Sequence, residues 1–359
     1  MPQSVINNVR LVGVSAVVPK NIQRIDDDID LFSGDRAQLQ RLKKNIGLEQ
    51  RHVATQDECA SNLCEAAARH LLTKCNVDAN TIDGLILVTQ TPDYFQPASS
   101  CVLHGKLELS KNCATFDVNL GCSGYVYGLW LASMMIVSDT CNRVLLLAGD
   151  TITRCISPQD RSVSVLFGDA GSATLLEKSP KANPIFFALH TDGTGFQHLI
   201  IPAGGFRKRS SQETKQRLFI EEGIIRSEED LYMDGKEIFN FTMREVPSLI
   251  NEIQTLAGWK HEEVDYYLFH QANRFIIQSI AQKLRLPKKK VPDNIVAKYG
   301  NQSSASLPVT LCENLWPLLT SESHNLILAG FGVGLSWAAC ALKCGPMVIL
   351  PVCFYEPHK

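Results

Sequence analysis

An internal repeat limits the possible folds of this chain more than any other feature of its sequence. Residues 82–90 resemble residues 264–271, and the aspartates in the two segments are 182 positions apart. Residues 143–149 resemble residues 325–330, and their Ala-Gly pairs are 181 positions apart. Two segments that recur in the same order at almost the same offset indicate two copies of one structural unit.

Each copy has the pattern of alternating strands and helices. The repeated segments contain four short, almost continuous apolar runs, at residues 85–88, 144–148, 266–269 and 326–329. Strands that are covered on both faces have this pattern. Residues 124–138 are apolar on nearly every side, which is typical of a helix in an interior layer. We therefore predict an α/β fold of two similar halves, residues 1–176 and 177–359, that share buried central helices.

Two segments do not follow the repeat. Residues 203–230 are polar, charged and glycine-containing. We predict that they form an inserted excursion, which is either a lid over a site or a solvated loop. The last segment, residues 345–359, lies beyond the second repeat, and we expect it to be irregular.

Composition excludes several classes of protein. The chain has 359 residues, of which 45% are hydrophobic and 20% charged, as in a globular protein with a sizeable core. A net charge of −2 does not favour binding to nucleic acid or to a membrane surface. No run approaches the roughly 18 apolar residues of a membrane span, and the first residues do not have the pattern of a secretory signal. We therefore expect a cytoplasmic protein.

The twelve cysteines have no pattern of disulfides or metal ligands. They are spread through apolar segments, so we expect most of them to be core thiols in a reducing compartment. Cys340 and Cys344 are four residues apart, but no second Cys/His pair accompanies them. We expect no metal site.

Three distant segments each present one reactive type of side chain. Cys122 follows Gly121 where a predicted strand turns into the apolar helix, His270 ends a predicted strand, and Asn301 follows Gly300 in a loop that opens another helix. A thiol nucleophile and two neutral hydrogen-bonding groups suit covalent acyl chemistry on a thioester. The structural alternatives are a core cysteine, a satisfied histidine and a turn asparagine.

These segments, with Phe167-Gly-Asp-Ala-Gly-Ser-Ala173 and Gly330-Phe-Gly-Val-Gly-Leu-Ser-Trp337, resemble the β-ketoacyl-acyl-carrier-protein synthase III enzymes of the thiolase superfamily. The resemblance covers almost the whole chain. It implies the thiolase-like five-layered αβαβα fold, a homodimer, a Cys-His-Asn catalytic set and no cofactor. It also implies an oxyanion hole formed by the backbone N–H groups of Cys122 and Val333, although many relatives have glycine at the second position.

The activity that this resemblance implies is a decarboxylating Claisen condensation. An acyl thioester would load Cys122, and a malonyl thioester on acyl carrier protein would then give a β-ketoacyl thioester for fatty-acid, specialised lipid or polyketide synthesis. A thiolate at the start of a helix is stabilised by the helix dipole, so we expect a lowered pKa for Cys122. The alternatives are an acyltransferase acting on an alcohol or amine, and a non-catalytic partner of a condensing enzyme.

The resemblance also suggests residues that bind substrate. Arg41 and Asn45 occupy the positions where relatives hold CoA with Trp and Arg. The missing aromatic side chain favours an acyl-carrier-protein donor, but acyl-CoA stays open. Asn273 would position the ligand or cap a helix. Phe95 lies in the segment that reaches the partner's acyl pocket in relatives, where it would set chain length or pack at the interface.

A carrier protein is acidic, so a basic surface near the mouth of the site would help it to dock. Basic residues lie on or just after the predicted helix that follows His270. An ordinary charged helix face is the alternative interpretation. The candidate docking residues are Arg274, Lys283, Arg285 and Lys288, with Lys289 and Lys290 next to them.

Overall fold

The computed structural model describes residues 3–357. The strands are β1 (Gln3–Ile6), β2 (Val9–Val18), β3 (Ile22–Arg24), β4 (Gln50–His52), β5 (Gly84–Val88), β6 (Ala114–Val118), β7 (Arg143–Asp150), β8 (Ala170–Lys178), β9 (Ile185–Thr191), β10 (Leu199–Ile200), β11 (Leu218–Glu221), β12 (Ile224–Arg226), β13 (Tyr232–Met233), β14 (Tyr266–Phe269), β15 (His324–Gly332), β16 (Ser336–Cys344), β17 (Val348–Ile349) and β18 (Cys353–Phe354).

The α-helices are α1 (Arg36–Ile46), α2 (Ala60–Cys75), α3 (Ser99–Lys106), α4 (Gly124–Val137), α5 (Gly235–Ala257), α6 (Arg274–Lys283), α7 (Ile295–Tyr299), α8 (Ser306–Thr310) and α9 (Trp316–Ser321). A π-helical turn, Leu311–Leu315, joins α8 to α9, so the three form one helical run. Short 3-10 turns lie at Ile25–Phe32, Ala79–Thr81, Ile152–Cys155, Gly193–His198, Lys288–Lys290 and Ser303–Ala305.

Two mixed sheets carry the repeat. The first has the order β17-β2-β8-β7-β5-β6, and β18 also pairs with β2. In it β5 is parallel to β6 and β7, whereas β8 is antiparallel to β7 and β2. The second has the order β1-β9-β16-β15-β14, with β14 parallel to β15 and the other pairs antiparallel. The succession β2-β8-β7-β5 thus recurs as β9-β16-β15-β14, and the predicted repeat is confirmed.

Helices cover both faces of each sheet. Helix α2 packs on the outer face of the first sheet against β2 and β8, and α5 packs on the second against β9, β15 and β16. Between the sheets, α4 contacts β5 and β7 on one side and β15 and β16 on the other, and α8 contacts β2, β8 and β14. The succession of layers is helix, sheet, helix, sheet, helix, so the predicted αβαβα fold is confirmed.

The interior position of α4 explains its composition. Because sheets pack against both of its sides, it has no solvent-facing stripe along most of its length. Tyr125 is fully buried there, and its hydroxyl is 2.9 Å from the Thr174 hydroxyl, so its polar group has a partner. Full burial of an apolar side chain contributes about 1.5–3 kcal/mol. Only the C-terminal end, with Met134 and Val137, is exposed.

The segments around the repeat also have defined positions. Strand β8 (Ala170–Lys178) extends past residue 176, where we predict the boundary between the halves, and β1 of the first half joins the second sheet. Residues 203–230 include an antiparallel ribbon of β11 and β12. The prediction of an irregular C-terminal segment is wrong in part, because β17 and β18 both pair with β2.

None of the helices within residues 3–357 has the length and hydropathy needed to cross a membrane. The same part of the chain has no cluster of three or more His, Cys, Asp or Glu side chains suited to a metal ion. All twelve cysteines lie in it and are free thiols.

Candidate active site

Cys122 lies between the end of β6 and the start of α4. The chain turns there through a hydrogen bond of 2.7 Å from the Gly124 N–H to the Gly121 carbonyl. The cysteine is 7% exposed, and it lines a cavity of about 290 Å³ together with Phe167, Ser303 and other side chains. The turn therefore presents one thiol to a cavity within the protein.

Burial controls the protonation of this thiol. It raises the pKa of Cys122 to about 12, and the buried Asp150 carboxylate adds to the rise. The backbone N–H groups of Val333 and Cys122 and the Ser303 hydroxyl oppose it by hydrogen-bonding the sulfur. The expectation of a lowered pKa is wrong, because loss of hydration outweighs the donors at the start of α4. The resting group is the neutral thiol.

His270 follows β14 and is 1% exposed. Its backbone N–H donates to the Ala329 carbonyl at 2.8 Å, and its Nδ1 is 2.7 Å from the Ser306 hydroxyl. Burial lowers the pKa of His270 to about 3, and a hydrogen bond with the Ser303 backbone opposes that shift. The imidazole is therefore neutral at physiological pH, as a hydrogen-bonding group for a developing anion requires.

Asn301 lies in the loop between α7 and α8 and is 6% exposed. Its N–H donates to the Leu166 carbonyl at 2.9 Å, and its carbonyl accepts from the Gly168 N–H at 3.0 Å. Its Oδ1 accepts the Ser303 N–H at 3.0 Å. Within residues 3–357 no protein group accepts a hydrogen bond from its Nδ2. The asparagine is thus fixed through its oxygen, and its amide N–H₂ is left as a donor.

Ser303 hydrogen-bonds each of these three residues, and we did not predict it as a site residue from the sequence. Its hydroxyl hydrogen-bonds the Cys122 thiol, and its backbone hydrogen-bonds both the His270 ring and the Asn301 Oδ1. It has a positive φ of 49°, which is uncommon outside glycine. The Asn-Gln-Ser-Ser sequence is typical of a turn closed by an asparagine side chain, and this pattern could have indicated that Ser303 lies beside Asn301.

Asp150, at the end of β7, is fully buried and hydrogen-bonds the loop that carries Asn301. Its Oδ2 accepts from the Ser304 hydroxyl at 2.7 Å and from the Ser304 N–H at 3.2 Å. Its Oδ1 accepts the Gln90 N–H at 2.7 Å. One carboxylate therefore links the loop that carries Asn301 to the segment that follows β5.

Val333 lies in the turn between β15 and β16. The Ser336 hydroxyl donates to its carbonyl at 3.0 Å and is itself 2.6 Å from the Ser123 hydroxyl. Its neighbours Gly332 and Gly334 have positive φ values, but Val333 does not, so a β-branched side chain fits here. The backbone N–H groups of Val333 and Cys122 both hydrogen-bond the Cys122 sulfur, and the oxyanion hole that they would form stays a prediction.

Comparison with known proteins identifies the family. The model of the 3-oxoacyl-[acyl-carrier-protein] synthase III family matches residues 116–193, and the model of its C-terminal part matches residues 255–344. A Campylobacter jejuni protein, provisionally named as such a synthase, is 37% identical over 351 residues that cover 98% of each chain. The chain belongs to the 3-oxoacyl-[acyl-carrier-protein] synthase III family.

Other members agree with this assignment. The β-ketoacyl-[acyl-carrier-protein] synthase III of Streptococcus equi is 33% identical over 336 residues, which cover 93% of this chain and 98% of that protein. The crystal structure of a 3-oxoacyl-(acyl-carrier protein) synthase from Burkholderia xenovorans superposes with a TM-score of 0.92 at 39% identity. It covers 98% of this chain and 99% of that one. The resemblance predicted from the motifs is confirmed.

The predicted substrate-binding residues of this synthase III chain lie outside the Cys122 cavity. Asn273 caps α6, because its Oδ1 accepts the Ile276 N–H at 2.9 Å. Phe95 is 82% exposed, with its ring 5.9 Å from that of Phe206, and it lines a neighbouring groove of about 920 Å³ that shares Gln90 with the Cys122 cavity. Arg41 is exposed on α1, and its Nε is 3.3 Å from the Ala37 carbonyl. Ligand roles for these three residues stay predictions.

The predicted docking residues differ in whether their charged groups already have partners in the protein. Within residues 3–357, Arg274, Arg285 and Lys288 form no ion pair. Helices α1 and α6 are in contact, and Arg274 packs against the C-terminal cap of α1, the helix that carries Arg41. Lys283 donates to the Met243 carbonyl at 2.7 Å.

Lys290, the last of the neighbouring lysines, has a structural role. Its ammonium group donates to three backbone carbonyls, those of His261, Glu262 and Val264. It thereby holds the loop before β14 to the turn after α6, and a group engaged in this way is not free to bind a carrier protein.

Proposed function

We propose that this chain catalyses a decarboxylating Claisen condensation. An acyl thioester loads Cys122, and a malonyl thioester on acyl carrier protein then gives a β-ketoacyl thioester. The main observation behind the proposal is that Ser303 hydrogen-bonds the Cys122 thiol, the neutral His270 imidazole and the Asn301 side chain, whose amide N–H₂ is free. Family membership favours carbon–carbon bond formation over acyl transfer to an alcohol or amine and over a non-catalytic role.

Acylation is the first step. The Cys122 sulfur attacks the carbonyl carbon of the donor thioester, and the carbonyl oxygen becomes an oxyanion held by the N–H groups of Cys122 and Val333. Collapse of this intermediate breaks the carbon–sulfur bond of the donor. Because the resting thiol is protonated, its proton must leave during attack, and it ends on the departing CoA or carrier thiol.

Decarboxylation generates the carbon nucleophile. Loss of CO₂ from the malonyl thioester leaves its electron pair in an enolate, whose oxygen accepts from the Asn301 amide and the His270 ring. Burial keeps His270 neutral, so its role is that of a hydrogen-bonding group rather than a cation. The enolate carbon attacks the acyl-cysteine carbonyl, and collapse of the tetrahedral intermediate breaks the carbon–sulfur bond and expels the Cys122 thiolate, which takes a proton from solvent. Each donor of this kind contributes about 10²–10³ in rate.

We infer that the carrier protein approaches over Arg274, Arg285 and Lys288. These cations have no ion-pair partner within residues 3–357, so an acidic surface can pair with them without breaking an existing bridge. Arg274 also packs against the C-terminal cap of α1, the helix that carries Arg41. Electrostatic complementarity of this kind mainly raises the association rate.

We also infer a cytoplasmic homodimer. Strand β6 is an edge strand, paired only with β5, and its Phe116 is exposed. Tyr94 and Phe95 add exposed aromatic surface on the loop before α3, and Phe206 of the 203–230 segment contacts Phe95. Helix α3 itself packs against β6. Unprotected edges and exposed apolar patches favour association. Twelve free cysteines fit a reducing compartment.

The test separates the two half-reactions. Acylation is followed by intact mass with a donor alone, and condensation by product mass after malonyl-acyl-carrier protein is added. We expect Asn301→Ala and His270→Ala to lower the condensation rate by about 10²-fold or more and to affect acylation much less. Asn112→Ala, in an exposed loop, is the matched control. Equal losses in both steps would contradict the proposed roles.

The same measurement distinguishes the alternatives. Only condensation adds two malonyl-derived carbons to the acyl group, whereas transfer to an alcohol or amine does not. A Cys122→Ala variant that leaves product formation unchanged would instead favour a non-catalytic partner.

A further inference from the structure

The cavity at Cys122 combines an apolar wall with two amide side chains. Most of the wall consists of aliphatic and aromatic residues, among them Ile152, Leu199 and Leu231. Gln90 and Asn119 are also part of the lining. An acyl pocket for a plain hydrocarbon has no need of two groups that both donate and accept hydrogen bonds.

Gln90 lies next to the nucleophile. A methyl group added at Gly121, the residue before Cys122, would lie 2.2 Å from the Gln90 Oε1, so the amide fills the space that this glycine leaves open. The Gln90 backbone is fixed as well, since its N–H donates to the buried Asp150 at 2.7 Å. The position of the amide is therefore set by packing and by a backbone hydrogen bond.

The amide groups of Gln90 and Asn119 have no hydrogen-bond partner among residues 3–357. Gln90 is partly buried, and covering its amide with a hydrocarbon chain would remove water from it without replacing the hydrogen bonds. An unsatisfied buried polar group costs about 1–3 kcal/mol. A substrate that supplies an oxygen at this point avoids that cost.

We propose that the cavity selects a short acyl group that carries a neutral oxygen substituent, a hydroxyl or a keto group, bound by Gln90. This inference rests on the proposed function, because the acyl group is the one loaded on Cys122. A neutral substituent is favoured because no Lys or Arg lines the cavity to pair with a carboxylate, and His270 is neutral. A hydroxyl both donates and accepts, so it pairs with the amide in either orientation. The cavity of about 290 Å³ has room for a short acyl chain beside the Cys122 sulfur.

The experiment compares acyl groups that differ by one substituent on the same carrier. Butyryl, both enantiomers of 3-hydroxybutyryl, and succinyl thioesters are prepared on CoA and on acyl carrier protein. The rate of adduct formation at Cys122 is measured by intact mass. We expect one hydroxybutyryl enantiomer to react at least about 10-fold faster than butyryl and than succinyl. Equal or faster reaction of butyryl would overturn the inference.

A substitution assigns the preference to Gln90. Gln90→Leu keeps a similar volume and the backbone hydrogen bond but removes the amide, so the hydroxybutyryl-to-butyryl ratio should fall to about one or invert. Gln23→Leu makes the same change on the exposed strand β3 and should keep the wild-type ratio. Near-UV circular dichroism checks that both variants are folded.

The remaining outcomes are also decisive. An unchanged ratio in Gln90→Leu, or an equal slowing of both substrates, would overturn selection by this side chain while leaving condensation intact. Failure of every thioester to form an adduct would overturn the proposed function, and this inference with it.

Discussion

Replacement of Gly332 by alanine tests whether the nucleophile must hold its position. The added methyl carbon would lie 2.8 Å from the Cys122 sulfur and 2.9 Å from its Cβ. Favourable contacts between such atoms lie at about 3.5–4.0 Å, so the thiol or the turn must move by about 0.7–1.2 Å. Misplacement of a reacting group by about 1 Å can cost about 10²-fold in rate. We therefore expect acylation of Cys122 to slow by about 100-fold.

The loss of stability should be comparable to the loss of transition-state stabilisation, since a 100-fold change in rate is about 2.7 kcal/mol. Overpacking of this kind costs about 1–3 kcal/mol, and the φ of 158° at Gly332 adds backbone strain for a residue with a side chain, so the acylation rate is compared at the folded fraction that urea unfolding gives. Gly105→Ala is the matched control, because the space around that position on α3 is open. It should stabilise the helix by up to about 1 kcal/mol and leave the acylation rate unchanged. Stopped-time intact-mass measurements give the rates, and urea unfolding gives the stabilities. Acylation of Gly332→Ala at the wild-type rate would refute the claim that the Cys122 thiol must hold its position against residue 332.

Four further outcomes are expected. Asp150→Asn places an N–H₂ group against backbone donors and should lower the free energy of unfolding by about 1–3 kcal/mol in urea titrations. The pKa of His270 falls from 6.5 to about 3 on folding, so its contribution to stability is complete above pH 6.5 and is lost as the pH drops toward 3. When the pH falls from 7 to 5, the free energy of unfolding of His270→Gln should therefore decrease by about 2 kcal/mol less than that of the wild type. Arg274→Glu should raise KM for malonyl-acyl-carrier protein and leave acylation by acyl-CoA unaffected; equal effects on both would exclude docking. Phe116→Asp on the β6 edge should convert a dimer to monomers in sedimentation experiments, whereas an unchanged oligomer would place the interface elsewhere.

The positions of four central strands were predictable from the sequence. Apolar runs that recur at a fixed offset become β5, β7, β14 and β15, because a strand covered on both faces must be apolar at successive positions. The all-round apolar segment becomes α4 for the same reason. The pairing of β1 with β9 was not predictable, since nothing in a four-residue strand specifies a distant partner.

The reactive groups were predictable as types, but their environment was not. Cys122, His270 and Asn301 carry distinct chemistry and stand beside recognisable turns. Ser303 and Asp150 act through contacts that depend on where two distant loops meet, which no local pattern records. The direction of the Cys122 pKa shift was mispredicted because a local argument about the helix start does not include the loss of water around a buried thiol.

The most direct test of the account is site-mapped intact-mass analysis of the protein after mixing with matched panels of acyl-CoA and acyl-carrier-protein donors. We predict a single acyl adduct on Cys122, which disappears when malonyl-acyl-carrier protein is added and yields a product longer by two carbons. An adduct on another residue, or a Cys122 adduct that malonyl-acyl-carrier protein does not consume, would contradict it.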